Sequence, residues 1–160
     1  MSEVAAIALG SNLTSAAGDR EATLNAAVQR LRSLGEVLRV SSWYDTAPVG
    51  YTDQPRFLNG ALLLRTELEP AALMRQLLQL EREMGRTRTG IVPKGPRVLD
   101  LDLLLYGSRV LSSAELVLPH PAMAERLFVL EPLAEIAPKM LHPVLRRTVA
   151  DLLQRLQHAP

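Results

Sequence analysis

Cysteine is absent from the 160 residues, and aromatic side chains make up only 4% of them. The first absence excludes disulfides and thiolate-bound zinc. The second leaves few rings for the exposed stacking platforms on which sheets bind single-stranded RNA. Charge of one sign is scarce too: the formal balance is +1, which gives no broad basic field for a polynucleotide. Nothing approaches the roughly 18 consecutive apolar residues of a spanning helix, and no signal-peptide pattern is present. These absences predict a cytoplasmic protein that uses neither nucleic acid nor membrane. What the chain has in quantity is apolar residues, 48% of the total. That is enough for a sizeable core, and residues 1–160 read as one domain.

The stretch Gly95-Pro96-Arg97-Val98-Leu99-Asp100-Leu101-Asp102-Leu103-Leu104-Leu105-Tyr106-Gly107 is apolar and β-prone, opened by Gly-Pro and closed by Tyr-Gly, the pattern of an interior strand. Alternation sends Leu99, Leu101 and Leu103 to one face, into a core, and sets Asp100 and Asp102 side by side on the other. Two like charges there repel unless a cation holds them, and a divalent metal fits. By itself an acidic pair on a strand is a common feature of solvated edges. Its neighbours sharpen it. Between Met84 and Leu99 there is no acidic residue, while Arg86, Arg88, Lys94 and Arg97 supply positive charge on a segment punctuated by Gly and Pro. A basic loop running into a metal-binding strand suits a polyphosphate, with magnesium on the strand and guanidinium forks around the oxygens. Arg97 has the opposite parity to Asp100, so the two pair only if the strand entry bends.

Along the chain, Val4 to Leu9 reads as a short buried strand ending in a Gly10-Ser11-Asn12 turn. Asp19 to Leu34 carries Leu24, Ala27, Val28 and Leu31 at helical spacing, with Gly35 as the stop. A β-prone stretch from Glu36 to Tyr44 leads into a long polar loop rich in Pro and Gly, of a kind more often functional than structural. Phe57 to Thr66 returns as a strand containing Asn59, whose amide must find partners in the backbone or in a ligand. Pro70 opens a helix to Met84 with a Leu73, Leu77, Leu80 stripe, which leaves Glu81 to a solvated face. After the Asp strand, Gly107-Ser108 turns the chain toward Arg109 to Leu111 as a hairpin partner.

Strand, helix, strand, strand, helix, strand is a split β-α-β unit repeated twice. This predicts an α+β ferredoxin-like sandwich with its first and last strands adjacent at the centre of an antiparallel sheet, extended by a C-terminal hairpin and helices. In the tail, His120 stands between Pro119 and Pro121 on a stiff turn, where a lone histidine is usually just exposed. A short helix is expected through Phe128, with Arg126 and Phe128 on different faces, and Thr148 to Gln157 reads as a capped amphipathic helix.

Gly10-Ser11-Asn12-Leu13, Ser41 to Thr46, Gln54-Pro55-Arg56-Phe57-Leu58-Asn59, Gly95 to Asp102 and Leu118-Pro119-His120-Pro121 occur in the order found in the 6-hydroxymethyl-7,8-dihydropterin pyrophosphokinases, and the chain resembles that family from residue 4 to about residue 138. The resemblance implies transfer of the pyrophosphoryl group of ATP to a pterin hydroxymethyl group. It further implies two Mg2+ ions held by Asp100 and Asp102, and assistance to transfer from Arg86 and Arg97. ATP contacts would come from Glu81, Arg88, Arg97, His120 and Arg126. Phe57 and Phe128 would sandwich the pterin ring, and Thr46, Asn59 and the main chain at Pro48 and Val49 would read its amide-like edge. The implied partners are small molecules and the implied state is a monomer. Residues 45–56 and 86–96 would close over the substrates and exclude water. Leu78 falls where the family has an adenine contact, and Lys94 where an aromatic is often found. From Asp100, Asp102 and Arg97 alone, a different metal-dependent phosphotransferase stays open. An RNA-binding module on the same scaffold is disfavoured by the shortage of aromatic and basic surface.

Overall fold

The computed structural model describes residues 2–12, 18–47, 56–85 and 98–159. Its elements are β1 (Glu3–Ser11), α1 (Arg20–Leu31), β2 (Glu36–Val40), β3 (Tyr44–Thr46), β4 (Phe57–Thr66), α2 (Pro70–Glu83), β5 (Asp100–Tyr106), β6 (Leu111–Ser112), β7 (Val117–Leu118), α3 (Leu127–Ile136), β8 (Leu141–His142), β9 (Arg147–Thr148) and α4 (Val149–Gln157). A 3-10 turn, Met123–Glu125, precedes α3. The main sheet is antiparallel in the order β2-β4-β1-β5, with β3 also on β4. Together with four helices this is an α+β fold.

Two apolar layers follow from the alternation along the strands. On one face Ala5, Ile7 and Leu9 of β1, Leu62 and Leu64 of β4, and Leu101 and Leu103 of β5 meet Leu24, Ala27, Val28 and Leu31 of α1 and Leu73, Leu77 and Leu80 of α2. On the other, Ala6, Ala61, Leu104 and Leu105 meet Val129, Leu130 and Leu133 of α3 and Val149 and Leu152 of α4. Leu104 and Leu105 share a face because the pairing of β1 with β5 slips between Ala6 and Ile7, and such a bulge breaks the alternation. Helix ends follow local chemistry. Asp19 caps α1 by accepting from the Ala22 amide at 2.9 Å, Pro70 stands at the start of α2, and Thr148 caps α4 by accepting from the Asp151 amide at 3.1 Å.

Several expectations need correction. The β-prone stretch at 36–44 is two strands: Ser41 accepts at Oγ from the Ala61 amide at 2.9 Å, and the Trp43 ring lies against Gly60, where an added Cβ would meet it at 2.3 Å. Gly10 and Ser11 belong to β1 rather than to a turn. Leu111 pairs with Leu118 of β7 and not with the Asp strand. β5 lies beside β1 as expected, but among the described residues it ends the strand order instead of sharing the centre. The helix near Phe128 runs on to Ile136 with Pro132 inside it. A proline this near a helix start forfeits one backbone bond, and the apolar contacts of Val129, Leu130, Leu133 and Ile136 offset the loss. No described helix is long and apolar enough to cross a membrane.

Candidate active site

Three strands set one row of residues. Gly10 of β1 lies opposite Asn59 of β4 on one side and Asp100 of β5 on the other, and Ala8 lies opposite Asp102. Adjacent strands are about 4.8 Å apart, so Asn59 and Asp100 flank Gly10 across roughly 10 Å of sheet. By alternation Phe57, Asn59, Asp100 and Asp102 all belong to the face that carries α3, while Leu99, Leu101 and Leu103 are buried on the opposite one. The carboxylates are neither engulfed nor splayed: Asp100 is half-buried and the Asp102 side chain is 41% exposed. Gly10 makes the floor. A Cβ there would come within 2.9 Å of Asn59 Oδ1 and 4.0 Å of Phe57 Cδ1. Reading Gly10 as a turn missed this, although glycine at the end of an apolar strand is a signal for close approach.

Around the carboxylates, Glu81 overturns the expectation of a solvated face. It is only 2% exposed, and its Oε2 accepts from the Leu101 amide at 2.7 Å. That amide lies between the two aspartates on the strand that ends the sheet, so a helix side chain takes the place of a neighbouring strand. His120 is more enclosed than a lone surface histidine, with its side chain 23% exposed. Its amide donates to the Leu104 carbonyl at 2.9 Å, which binds the turn after the cis Leu118–Pro119 bond to β5. Nδ1 accepts from the Ala122 amide at 3.2 Å, leaving Nε2 to carry the proton, 3.9 Å from Asp102 Oδ1. Burial pushes the imidazole below its ordinary value, Asp102 opposes that, and Arg126 adds to it.

On the β4 side, Asn59 is 7% exposed and its Nδ2 donates to Thr46 Oγ1. Phe57 pairs with Thr46 across the strands. Phe128, in the first turn of α3, packs on the apolar layer of the same face. Arg126 and Phe128 are not separated as expected: the guanidinium carbon lies 5.7 Å from the centre of the Phe128 ring. Arg126 is the cap residue of α3 with extended backbone, not a helical position, and this lets its side chain fold over a ring two residues on. Pro48, Val49, Arg86, Arg88 and Arg97 lie outside the described residues.

As a cation site the two aspartates offer hard, acceptor-only oxygens on one open face. Among the described residues no group of three or more acidic, histidine or cysteine side chains is placed to hold a metal ion. Two carboxylates completed by water and substrate phosphate is the arrangement suited to Mg2+ rather than to a caged structural metal. The residues present fit that ion.

An α+β sheet with paired carboxylates, an enclosed asparagine and an imidazole on one face defines a candidate phosphoryl-transfer protein. The chain belongs to the 7,8-dihydro-6-hydroxymethylpterin-pyrophosphokinase (HPPK) family, whose sequence model matches residues 6–138, and it is an enzyme of the diphosphotransferase class. It is 49% identical over 138 residues to the 2-amino-4-hydroxy-6-hydroxymethyldihydropteridine pyrophosphokinase of Bacillus subtilis, covering 85% of this chain and 79% of that one. Against the protein of the same name from Methylorubrum extorquens the identity is 42% over 152 residues, covering 94% and 91%. A folate synthesis bifunctional protein of Arabidopsis thaliana is 44% identical over 135 residues, and there the chain spans 27% of the relative. The crystal structure of wild-type Plasmodium falciparum HPPK-DHPS shares the fold at a TM-score of 0.72 and 14% identity, covering 100% of this chain and 47% of that one.

Proposed function

We propose that the chain transfers the pyrophosphoryl group of ATP to 6-hydroxymethyl-7,8-dihydropterin, giving the pterin diphosphate and AMP in folate synthesis. The observation that carries this reading is the row Asn59, Gly10, Asp100: an amide able to read a heterocycle's edge and a carboxylate able to hold a cation, with a bare backbone between them. The substrate hydroxyl attacks the β-phosphorus in line and releases its proton to solvent, the bond from the β-phosphorus to the bridging α-phosphate oxygen breaks, and AMP leaves with that oxygen. Asp100 and Asp102 would hold two Mg2+ ions, which neutralise charge on the phosphate oxygens when bound.

The remaining roles belong to this chain's own groups. Arg86 and Arg97 assist the transfer, and Arg88 and Arg126 contact ATP phosphates. His120 donates to a phosphate from Nε2, consistent with the acceptor role of its Nδ1. Glu81 acts on the ATP side by holding the Leu101 amide between the two aspartates. Phe57 and Phe128 sandwich the pterin, while Asn59 and Thr46, with the main chain at Pro48 and Val49, read its edge. The strand order β2-β4-β1-β5, with β3 on the β2 side, supports the ferredoxin-like plan for the scaffold. We assign the protein to the cytoplasm as a monomer.

The test is chromatographic. With Mg2+, ATP and the hydroxymethyl dihydropterin, AMP and pterin diphosphate appear in equal amounts; without the pterin, or with excess EDTA, AMP formation stops. Release of ADP in place of AMP, or AMP formation indifferent to the pterin, would overturn the assignment.

A further inference from the structure

β3 is three residues long and, among the described residues, pairs with β4 alone. So short a strand closes few backbone hydrogen bonds and is marginal unless something else holds it. Side chains hold it from both faces of the sheet. On the α3 side, Tyr44 donates its hydroxyl to Glu135 Oε1 at 2.7 Å, and Ser42 donates its amide and its hydroxyl to the same carboxylate at 3.1 and 3.0 Å. On the α1 side, Asp45 accepts from Arg56 Nε at 2.7 Å and from Arg20 Nη2 at 3.2 Å. Arg56 Nη2 donates to the Asp45 carbonyl at 3.2 Å, and Arg20 Nη1 donates to the Arg56 carbonyl at 2.8 Å. These contacts close a ring joining the first residue of α1, the middle of β3 and the residue that precedes β4.

Arg20 opens α1, where a cation works against the helix dipole. Its placement there is explained by the ring rather than by the helix. Exposed ion pairs of this kind add little to global stability, and these side chains are 32%, 50% and 58% exposed at Arg20, Asp45 and Arg56. What the ring fixes is local: the register of β3, and with it Thr46, the next residue, whose Oγ1 receives the Asn59 amide.

We infer that Arg20, Asp45 and Arg56 are positioning residues that hold Thr46 against Asn59 and so set the affinity for the pterin, without touching it. This rests on the substrate reading above, which assigns Thr46 and Asn59 to the pterin edge.

The experiment compares wild type, Asp45→Ala and Asp45→Glu by hydrogen exchange at Tyr44, Asp45 and Thr46 and by steady-state kinetics in each substrate. Asp45→Ala speeds exchange at those amides. If β3 is then in register for only about a tenth to a fifth of the time, KM for the pterin rises about five- to tenfold. KM for MgATP and the melting temperature stay near wild type, and Asp45→Glu restores most of both effects. Unchanged exchange overturns the inference. So does faster exchange with an unchanged pterin KM, or an equal rise in both KM values. Should wild type fail to use the pterin at all, the substrate reading falls by itself, and the exchange measurement still decides whether the ring holds β3.

Discussion

The face of the sheet that carries α3 has two halves built from the same three strands. Where Ala6, Ala61 and Leu104 lie, α3 and α4 cover the strands with Val129, Leu130, Leu133, Val149 and Leu152. A few residues along, Gly10, Asn59, Asp100 and Asp102 occupy the corresponding positions, with His120 3.9 Å from Asp102. Small residues on β1 run through both halves as Ala6, Ala8 and Gly10. In one half they admit a helix, and in the other they leave a floor. The difference teaches that this site costs the core little: on the opposite face of the sheet these strands still bury leucines, so polar side chains need only replace a helix contact at one end.

The largest expected effect comes from removing the charge at the open end. Asp102→Asn keeps the shape of the side chain, and kcat falls roughly a thousandfold. AMP release measures this, beside a melting curve that stays near wild type. A melting curve that collapses instead would mean that the open half is structural, and the contrast would be gone.

The covered half breaks by subtraction. Leu104 is 1% exposed, and Leu104→Ala leaves a cavity under α3 that costs about 2–5 kcal/mol of stability. Urea titration measures the loss, while KM values stay near wild type wherever the protein is folded. A change in pterin KM larger than the change in stability would show that the two halves are coupled.

A smaller change sharpens the comparison at the boundary. Gly10→Ala places a methyl 2.9 Å from Asn59 Oδ1, and Asn59 yields only by loosening its bond to Thr46. KM for the pterin rises about tenfold, equivalent to about 1.4 kcal/mol, with KM for MgATP unchanged. Combined with Asn59→Ala, the Gly10→Ala substitution adds little, because its obstacle has been removed. Full additivity would place the effect on the substrate instead.

Much of this arrangement was legible in the order of residues. The bounds of β4 fall at Phe57 and Thr66, and the strand that opens at Asp100 sends Leu101 and Leu103 to one face and its aspartates to the other, as alternation requires up to the bulge. Pro70 and Thr148 mark helix starts by chemistry that involves only their neighbours. Other features depend on distant partners. Pro132 lies inside a helix because a tertiary apolar contact outweighs its missing amide. Glu81 is buried because a strand edge offers it a backbone donor, which no helical period can announce. The break at Ser41 to Trp43 depends on Gly60 being there to receive a ring, and Gly60 lies on β4, beyond the reach of any local pattern.

By itself the sequence determined the alternation, the helical stripes and the caps, since each depends on residues within a turn or two of one another. It also determined which face of β5 is acidic. Only the tertiary structure decided that Asn59, Gly10 and Asp100 form one row, that His120 turns its Nε2 toward Asp102, and that Arg20 reaches from a helix start to the middle of β3. Register between strands far apart in the chain is fixed by the summed packing of both sheet faces, and no local stretch of residues contains that sum.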